Sequence, residues 1–392
     1  MGDRDVYAMR YLPAILNGSL VIMAALGMVL ALRGRLAFLG AGVLALVLWR
    51  LAGNAPPGKL GSGLLVALTL INVFGLVPEL GLRLIDFEYD PFGEFVYPRP
   101  ADFAQLQPDA EVFWRLPPAA PGVNSLGFPG EEIDIPKPEG TFRILFLGDS
   151  ISQQGYPVLV EQILNAGRGA AASRVESVVL AVNGYSSYQG RMLAEQYGRA
   201  LQPDLVVVQF GWNDHWLALG QPDAQKNFAP PSRWQIRAHA AYRKSRALQG
   251  YVWAWQRLGR ATATGTGVVR VPPAAYRQNL LAIRSLFEAA GVPVVFVTAP
   301  AAHARLGVPQ EITARGFAVD ADSVVRTHRQ YNRIVRQVAR EGWLLDMEAR
   351  FDTLPAARLQ SLFQPDGIHL SQDGMDVYAR WVADFLKTVA EM

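Results

Sequence analysis

The sequence predicts an α/β protein, a three-layer α/β/α sandwich with a central parallel sheet, preceded by transmembrane helices. Two observations indicate the sandwich. Short apolar runs of β type recur after residue 140, and each of the first four is followed by a segment with helical periodicity. The third observation concerns residues 1–85, where three uncharged apolar runs raise the mean hydropathy of the chain to +0.13, with only 18% charged residues.

The three N-terminal runs predict a membrane anchor of about three helices over residues 1–85. They cover residues 11–32, 36–49 and 60–78. The first run is long enough to cross a hydrocarbon core as a helix, whereas the second is short for a span. A cleaved signal peptide is the alternative interpretation, but three successive runs exceed its single apolar region.

Basic residues beside these runs predict the orientation of the anchor. With three spans, the two sides of the membrane receive Arg4, Arg10, Arg50 and Lys59 on one side, and Arg33, Arg35 and Arg83 on the other. The larger basic count is expected in the cytoplasm, so the N-terminus lies there and everything after residue 85 lies outside.

Residues 86–140 are rich in proline, glycine and aromatic residues, without a helical period, which predicts a connector or a small accessory layer. Phe113, Trp114 and Phe128 in this segment are expected to pack on the domain that follows, residues 141–392. The predicted strands of that domain are 143–147, 178–182, 205–210, 294–298 and 343–346. The predicted helices are 157–166, 187–201, 273–290, 321–340 and 372–387. Such a sheet is covered on both faces, and ligands bind beyond the carboxyl ends of its strands.

Polar residues follow the first three predicted strands and precede the last helix. Ser150 follows the first strand, Gly184 the second and Asn213 the third, while Asp366 and His369 come just before the final helix. Each feature alone is ordinary turn chemistry. In this order they supply a nucleophile, a backbone donor, a side-chain donor, and the acid and base that activate a serine hydroxyl. Together they predict acyl transfer.

This arrangement resembles the SGNH (GDSL-type) hydrolase family over about residues 143–388. The likeness extends to Gly-Tyr-Ser-Ser at 184–187, to Pro-Asp-Leu-Val-Val-Val-Gln-Phe-Gly-Trp-Asn-Asp at 203–214 and to Asp-Gly-Ile-His-Leu at 366–370. The resemblance implies a flavodoxin-like sandwich in which Ser150 is the nucleophile, His369 is the general base and Asp366 orients it. It implies an oxyanion hole formed by the backbone N–H groups of Ser150 and Gly184 and the side-chain amide of Asn213. It implies no metal and no organic cofactor.

Other polar and aromatic residues near the strand ends are candidates for substrate binding, with ordinary loop residues as the alternative. These candidates are Asp149, Trp212, Asp214, His215 and His303. His239 and His328 fall in helical stretches and are expected on the surface.

Residues 217–272 are too long for an ordinary connection between a strand and the next α/β unit. The segment mixes tryptophan and tyrosine with arginine and lysine. Three interpretations remain open: a lid over the acyl or alcohol pocket, an interfacial helix touching the bilayer or an acidic glycan, and a helix that packs over the sheet edge.

The leading functional hypothesis is a membrane-anchored serine esterase that removes ester-linked acyl groups, above all O-acetyl groups, from a cell-envelope glycan. The expected location is a bacterial inner membrane, with the catalytic domain periplasmic or otherwise extracytoplasmic. The alternatives are an O-acyltransferase with the same triad, a lipid esterase or thioesterase, and a membrane-anchored binding or assembly protein. The absence of cysteine excludes disulfides, thiolate metal sites and a cysteine nucleophile. Scattered basic residues give no support for nucleic-acid binding.

Overall fold

The computed structural model describes residues 3–33, 38–53, 59–91, 97–118, 120–166, 173–218, 220–258, 267–314 and 317–389. The chain forms two compact units. The helical unit comprises Met1–Phe92 and Arg233–Thr262, and the sheet unit comprises Gly93–Ser232 and Ala263–Met392. The chain therefore passes between the two units three times.

The α-helices are α1 (Asp3–Leu32), α2 (Leu39–Gly53), α3 (Lys59–Ile71), α4 (Val77–Leu84), α5 (Ser150–Gln153), α6 (Tyr156–Asn165), α7 (Ser187–Tyr197), α8 (Trp212–His215), α9 (Arg233–Lys244), α10 (Arg246–Leu258), α11 (Pro273–Glu288), α12 (His303–Leu306), α13 (Gln310–Ala314), α14 (Ala321–Val338), α15 (Met347–Asp352), α16 (Ala356–Leu362) and α17 (Gln372–Val389). A π-helical turn, Asn72–Leu76, joins α3 to α4, and short 3-10 helices cover Pro100–Ala104 and Asp223–Gln225. The strands are β1 (Gln107–Asp109), β2 (Phe113–Arg115), β3 (Thr141–Gly148), β4 (Arg174–Ala181), β5 (Leu205–Val208), β6 (Val294–Val297) and β7 (Leu344–Leu345).

The sheet unit contains a five-stranded parallel sheet in the order β4-β3-β5-β6-β7. The connection from β3 to β4 runs in one direction along the sheet, and the later connections run in the other. Because βαβ crossovers are right-handed, this reversal places α6 on one face and α7, α11 and α14 on the opposite face. Ring contacts support the position of α6 against the sheet, since Tyr156 of α6 lies between Phe146 of β3 and Tyr378 of α17.

The predicted α/β/α sandwich is confirmed, and all five predicted strands belong to this sheet. β5 and β6 are buried along their whole length, as expected for strands covered on both faces. The reversal of direction occurs beside β3, so the carboxyl end of β3 is the topological switch point where such sheets bind ligands.

The segment before β3 contributes a small antiparallel hairpin, β1 and β2, which the sequence did not predict. Its aromatic residues pack within the sheet unit, as expected. Phe113 stacks on Tyr188 of α7, and the Trp114 ring packs against that of Tyr185. These contacts place the hairpin beside α7 and the turn that follows β4, and the division into a connector or accessory layer stays a prediction.

In the helical unit the chain makes three passes: α1, then α2, then α3 and α4 together. The Asn72 side chain donates a hydrogen bond to Ser19 Oγ at 2.6 Å, and Nη1 of Arg33 donates to the backbone oxygen of Leu84 at 2.8 Å. The C-terminal ends of α1 and α4 therefore lie at the same end of this unit. α2 runs in the opposite direction and brings the chain back to the start of α3.

Two stretches of this unit are long and apolar enough to cross a membrane, Tyr11–Leu32 and Ser62–Leu84. The expectation was about three spans. The middle helix, α2, has 15 residues, which at 1.5 Å per residue is about 22 Å, short of a hydrocarbon core of about 30 Å.

Helices α9 and α10, from the long segment 217–272, belong to the helical unit. Oε2 of Glu79 in α4 accepts hydrogen bonds from Ser245 Oγ at 2.9 Å and from the backbone nitrogen of Ala247 at 2.8 Å. The Tyr242 hydroxyl donates to the backbone oxygen of Tyr89 at 2.9 Å. The sequence had grouped this whole segment with residues 141–392. The described contacts of α9 and α10 are instead with the end of the apolar helices, whereas residues 217–232 and 267–272 belong to the sheet unit.

Candidate active site

Ser150 lies where β3 ends and α5 begins. The side chain of Asp149 caps this short helix by accepting a hydrogen bond from the backbone nitrogen of Ile151 at 3.0 Å. β3 is the strand between β4 and β5 and is buried toward its end, so a rigid element positions the serine. Ser150 is half-buried, which leaves part of the residue open to solvent.

His369 and Asp366 come from the loop between α16 and α17. Nε2 of His369 lies 2.8 Å from Ser150 Oγ, and Nδ1 of His369 lies 2.6 Å from Oδ2 of Asp366. Oδ1 of Asp366 accepts hydrogen bonds from the backbone nitrogens of Ile368 at 2.9 Å and of His369 at 3.0 Å. The fold thus joins the three predicted residues in one hydrogen-bonded chain, although Ser150 and His369 are 219 positions apart.

The surroundings of His369 favour its protonated form. Burial lowers the pKa of the imidazole, but the hydrogen bond and charge of Asp366, together with the charge of Asp149, outweigh burial and raise the pKa above its ordinary value. For Asp366, burial raises the pKa, but the hydrogen bonds from His369 and from the backbone lower it by more. The pKa of Asp366 is therefore below its usual range. A base that binds a proton readily beside an ionised carboxylate suits proton transfer from a serine.

The loop that carries this pair is held from behind by His303. Nε2 of His303 lies 2.7 Å from the backbone oxygen of Asp366. Gly367 has a φ of +69°, and a Cβ at this position would lie 2.7 Å from the His303 ring, so the turn requires glycine. The expected role of His303 in substrate binding stays a prediction; its observed contact supports the loop.

Gly184 follows β4 in a turn that only glycine adopts readily. Its φ is +84°, and a Cβ there would lie 3.1 Å from the Trp114 ring. Nε1 of Trp114 donates a hydrogen bond to the backbone oxygen of Asn183 at 3.2 Å. The backbone nitrogen of Asn183 donates to the side chain of Gln153, in the helix that Ser150 begins, at 2.5 Å. The Gly184 turn is therefore tied to the helix of the serine.

Asn213 reaches the same turn from the end of β5. It is buried, and its Nδ2 donates a hydrogen bond to the backbone oxygen of Tyr185 at 3.0 Å. An amide nitrogen carries two hydrogens, so one donor remains after this bond. The structure thus links the segments of Ser150, Gly184 and Asn213 through hydrogen bonds at the carboxyl edge of the sheet.

A buried ion pair that sequence reasoning missed supports the Gly184 turn. Arg270 and Asp223 are both buried, with Nη2 of the arginine 2.9 Å from Oδ2 of the aspartate. Nη1 of Arg270 donates a hydrogen bond to the backbone oxygen of Gly184 at 2.7 Å. Tyr97 and Ser186 donate to the same carboxylate. The sequence carried one indication, because Arg270 is the single charge in the apolar stretch 267–274.

Trp212, Asp214 and His215 are buried beside the site, and their described hydrogen bonds go to other parts of the protein. Trp212 donates to the backbone oxygen of Pro300 at 2.9 Å. Asp214 accepts from the backbone nitrogen of Ser187 at 2.9 Å and from its hydroxyl at 2.6 Å, and burial raises the pKa of Asp214 to about 7. These contacts are structural, and a role in substrate binding stays a prediction.

Two histidines expected on the surface are buried instead. His328 of α14 stacks on Trp212 with ring centroids 4.0 Å apart, and its Nδ1 lies 3.2 Å from Nε2 of His215. His239 of α9 lies with its ring against that of Tyr242 and 3.2 Å from a carboxylate oxygen of Asp90. For His328 the sequence did carry a signal, because Val324, Tyr331 and Val335 lie four residues before it and three and seven residues after it, on the same buried face of α14.

A serine, an imidazole and a carboxylate in this order can carry out nucleophilic acyl transfer. The base takes the hydroxyl proton, and the carboxylate keeps the base in the required tautomer. His369 and Asp366 are 19% and 25% exposed, so the proton path is partly open to a substrate. Among the described residues, no group of three or more histidine, aspartate or glutamate side chains could hold a metal ion.

Comparison with known families finds one match by sequence. The model of the GDSL-like lipase/acylhydrolase family matches residues 146–377, which is more than half of the chain. The matched range contains all the residues predicted for the triad and the oxyanion hole. No curated protein sequence matches the chain.

Several solved structures are similar to the chain. A lipase/acylhydrolase from Enterococcus faecalis is 16% identical, with 63% of this chain and 96% of that chain covered and a TM-score of 0.40. The acetyl xylan esterase AlAXEase is 17% identical, with 63% and 98% covered and a TM-score of 0.39. A catalytic mutant of Axe2, an acetylxylan esterase from Geobacillus stearothermophilus, is 18% identical, with 62% and 94% covered and a TM-score of 0.37.

Proposed function

The chain belongs to the GDSL-like lipase/acylhydrolase family, whose members hydrolyse ester bonds, and we propose that it is a membrane-anchored serine esterase. The observation that carries the proposal is the hydrogen-bonded chain of Ser150, His369 and Asp366, with distances of 2.8 and 2.6 Å. This chain forms at the topological switch point of the sheet, where the fold class binds its ligands.

In the first half of the reaction, Ser150 Oγ attacks the acyl carbon while His369 Nε2 takes the hydroxyl proton. Asp366 stabilises the imidazolium that results. The tetrahedral intermediate then breaks the bond to the alcohol oxygen, and His369 returns the proton to that oxygen. The alcohol leaves, and the acyl group stays on Ser150 as an ester.

Three donors are assigned to the oxyanion of the intermediate. They are the backbone N–H groups of Ser150 and Gly184 and the second amide hydrogen of Asn213. The first amide hydrogen is held by Tyr185 at 3.0 Å, so the side chain is oriented before a substrate arrives. Preorganised donors of this kind each contribute roughly 3–4 kcal/mol to transition-state stabilisation.

In the second half, water attacks the acyl-enzyme. His369 takes a proton from the water, and the collapse of the second intermediate releases the carboxylic acid and restores the Ser150 hydroxyl. An alcohol in place of water would give an acyltransferase with the same residues. Product analysis separates the two reactions, because only hydrolysis releases free acid.

The helical unit supports the membrane part of the proposal. Two stretches are long and apolar enough to span, and the C-terminal ends of α1 and α4 lie together, so the N-terminus and the chain beyond α4 leave from opposite ends of the unit. The basic residues favour a cytoplasmic N-terminus. The catalytic part would then face outward, where the O-acylated glycans of the cell envelope are the proposed substrates.

A fluorophosphonate probe tests the proposal on the full chain in detergent micelles. The full chain is preferable to a fragment starting at residue 86, because such a fragment would remove the partners of α9 and α10. Labelling of the wild type at one site, measured by intact mass, is the expected result, with loss of labelling in Ser150→Ala.

Ser152→Ala is the matched control, since Ser152 lies in the same short helix and is buried. It should label like the wild type. Retained labelling in Ser150→Ala, or no labelling of a folded wild type, would contradict the proposal and favour a binding or assembly protein. Release of acetate from an O-acetylated glycan, against transfer of acetyl to an added sugar, then identifies the acceptor.

A further inference from the structure

Helix α10 carries an exposed apolar stripe. The stripe consists of Leu248, Tyr251, Trp255 and Leu258, which are 49%, 44%, 79% and 84% exposed. At 3.6 residues per turn, these four positions fall within about 80° of the helix circumference. Single exposed apolar residues are common on protein surfaces, but an aligned set of four large ones marks an interaction surface.

The contacts of α10 place this stripe at the end of an apolar helix. The charged residues Glu79 and Arg83 of α4 mark where the apolar run of Ser62–Leu84 becomes polar, and Glu79 caps the start of α10. Leu82 packs on Gly250 so closely that a Cβ at the glycine would lie 2.7 Å away. The hairpin of α9 and α10 therefore crosses α4 at the polar end of the stretch that can span a membrane.

The two sides of α10 contact opposite sides of this boundary. Tyr251, on the stripe, donates a hydrogen bond from its hydroxyl to the backbone oxygen of Phe74 at 2.5 Å. Phe74 lies within the apolar run and is itself 60% exposed. Away from the stripe, Gln249 and Gln256 contact Tyr89, which follows the run. The stripe thus continues the exposed apolar surface of the spanning helix, and the polar side faces the segment that has left it.

We propose that α10 lies in the plane of the membrane interface, with Leu248, Tyr251, Trp255 and Leu258 inserted at the boundary of headgroups and acyl chains. The proposal rests on the membrane anchor of the proposed function. Lipid is the occupant that the geometry favours, because the stripe adjoins Phe74 on a surface that faces acyl chains in that anchor. An amphipathic helix with tryptophan on its apolar side and arginine elsewhere has the composition of interfacial helices.

The chain connects α9 and α10 to the sheet unit on both sides. The sheet unit connects to the helical unit before β1 and again on both sides of α9 and α10. A helix anchored in the interface therefore adds two further attachments of the sheet unit to the membrane.

Site-directed spin labelling tests the insertion, and the absence of cysteine from the chain allows it without background substitutions. Trp255→Cys and Leu258→Cys are labelled with a nitroxide in the full chain, reconstituted in phosphatidylcholine vesicles. We expect greater accessibility to molecular oxygen than to a water-soluble nickel chelate at both positions. Arg257→Cys is the matched control, because it is exposed in the same helix about 140° from the stripe, and it should show the reverse.

Nickel accessibility above oxygen accessibility at both 255 and 258 would overturn the proposal. Dipolar broadening between labels at 258 that disappears on dilution with unlabelled protein would also overturn it, since a second copy would then cover the stripe. Val21→Cys, on the exposed side of α1, separates the causes of failure. A lipid-exposed label at 21 with water-exposed labels at 255 and 258 contradicts only the interfacial helix, whereas water at all positions contradicts the anchor. Fluorophosphonate labelling of each variant reports the esterase site independently.

Discussion

The protein has two histidine environments within its sheet unit that differ in what faces the ring. His369 is partly exposed and paired with Asp366, and its pKa is raised. His215 and His328 are buried against each other, and burial together with the charges of neighbouring histidines lowers their pKa values, that of His328 to about 3. Residue type and proximity to the strand ends are the same in both. A carboxylate partner and access to solvent therefore distinguish the candidate base from a packed aromatic ring.

Removing the carboxylate from the first environment is expected to have the largest effect. Asp366→Asn keeps the shape of the side chain but cannot stabilise the imidazolium, so kcat should fall by about 10⁴-fold. Steady-state hydrolysis of a short-chain p-nitrophenyl ester measures it. Asp373→Asn, an exposed aspartate in α17, serves as the control and should retain full activity. A loss of less than tenfold in Asp366→Asn would show that the pair does not decide the chemistry.

Removing one partner of the buried ion pair between Arg270 and Asp223 is expected to cause a large loss of stability. Arg270→Ala leaves a carboxylate without its cation at a position with no exposure on either side chain, so the free energy of unfolding should fall by about 3–5 kcal/mol. Urea unfolding in detergent, followed by tryptophan fluorescence, measures it. The double variant Arg270→Met, Asp223→Leu removes both charges and should lose less than the single variant. An equal or larger loss would indicate that packing, not charge pairing, is responsible.

The buried histidine environment should make the protein sensitive to acid. Folded His328 stays neutral to about pH 3, whereas the unfolded ring takes up a proton near pH 6.5, so stability falls as the pH decreases between these values. One such proton changes the free energy of unfolding by about 1.4 kcal/mol per pH unit. The raised pKa of Asp214 acts in the opposite direction, so the informative quantity is a difference between variants.

His328→Asn should therefore show a shallower loss of stability than the wild type between pH 6 and pH 4. Urea unfolding at several pH values measures both slopes. Identical slopes would mean that the His328 ring is protonated in the folded protein, and the contrast between the two environments would then fail.

The smallest effect is expected at His303, which contacts the first environment without taking part in its charge pairing. Loss of the 2.7 Å contact with the Asp366 backbone oxygen should lower kcat of His303→Ala by about tenfold, because a small displacement of the loop misaligns the base. KM should change little. His303→Gln retains a donor and should recover part of the rate. A change in KM alone would instead assign His303 to substrate binding.

Much of the sheet unit was predictable because its elements depend on local pattern. β5 and β6 are apolar throughout, and β3 and β4 are apolar toward their carboxyl ends. The helices between them have a clear period, so the sequence predicted the five strands and the sandwich. The hairpin β1–β2 was not predicted, because its strands have three residues each, which is too few to show alternation of apolar and polar residues. The triad was predicted as three positions in a resemblance, and the structure adds the distances that join them.

Sequence by itself determined the α/β sandwich, the apolar N-terminal helices and the identity of Ser150, His369 and Asp366 as candidates, since apolar periodicity and residue order are properties of the chain alone. Tertiary structure decided the rest. Contacts between distant segments decide that α9 and α10 pack against α4. They also decide that Arg270 supports Gly184 and that His239 is buried. Such contacts leave no period in the sequence, because burial and charge pairing arise only when the segments meet.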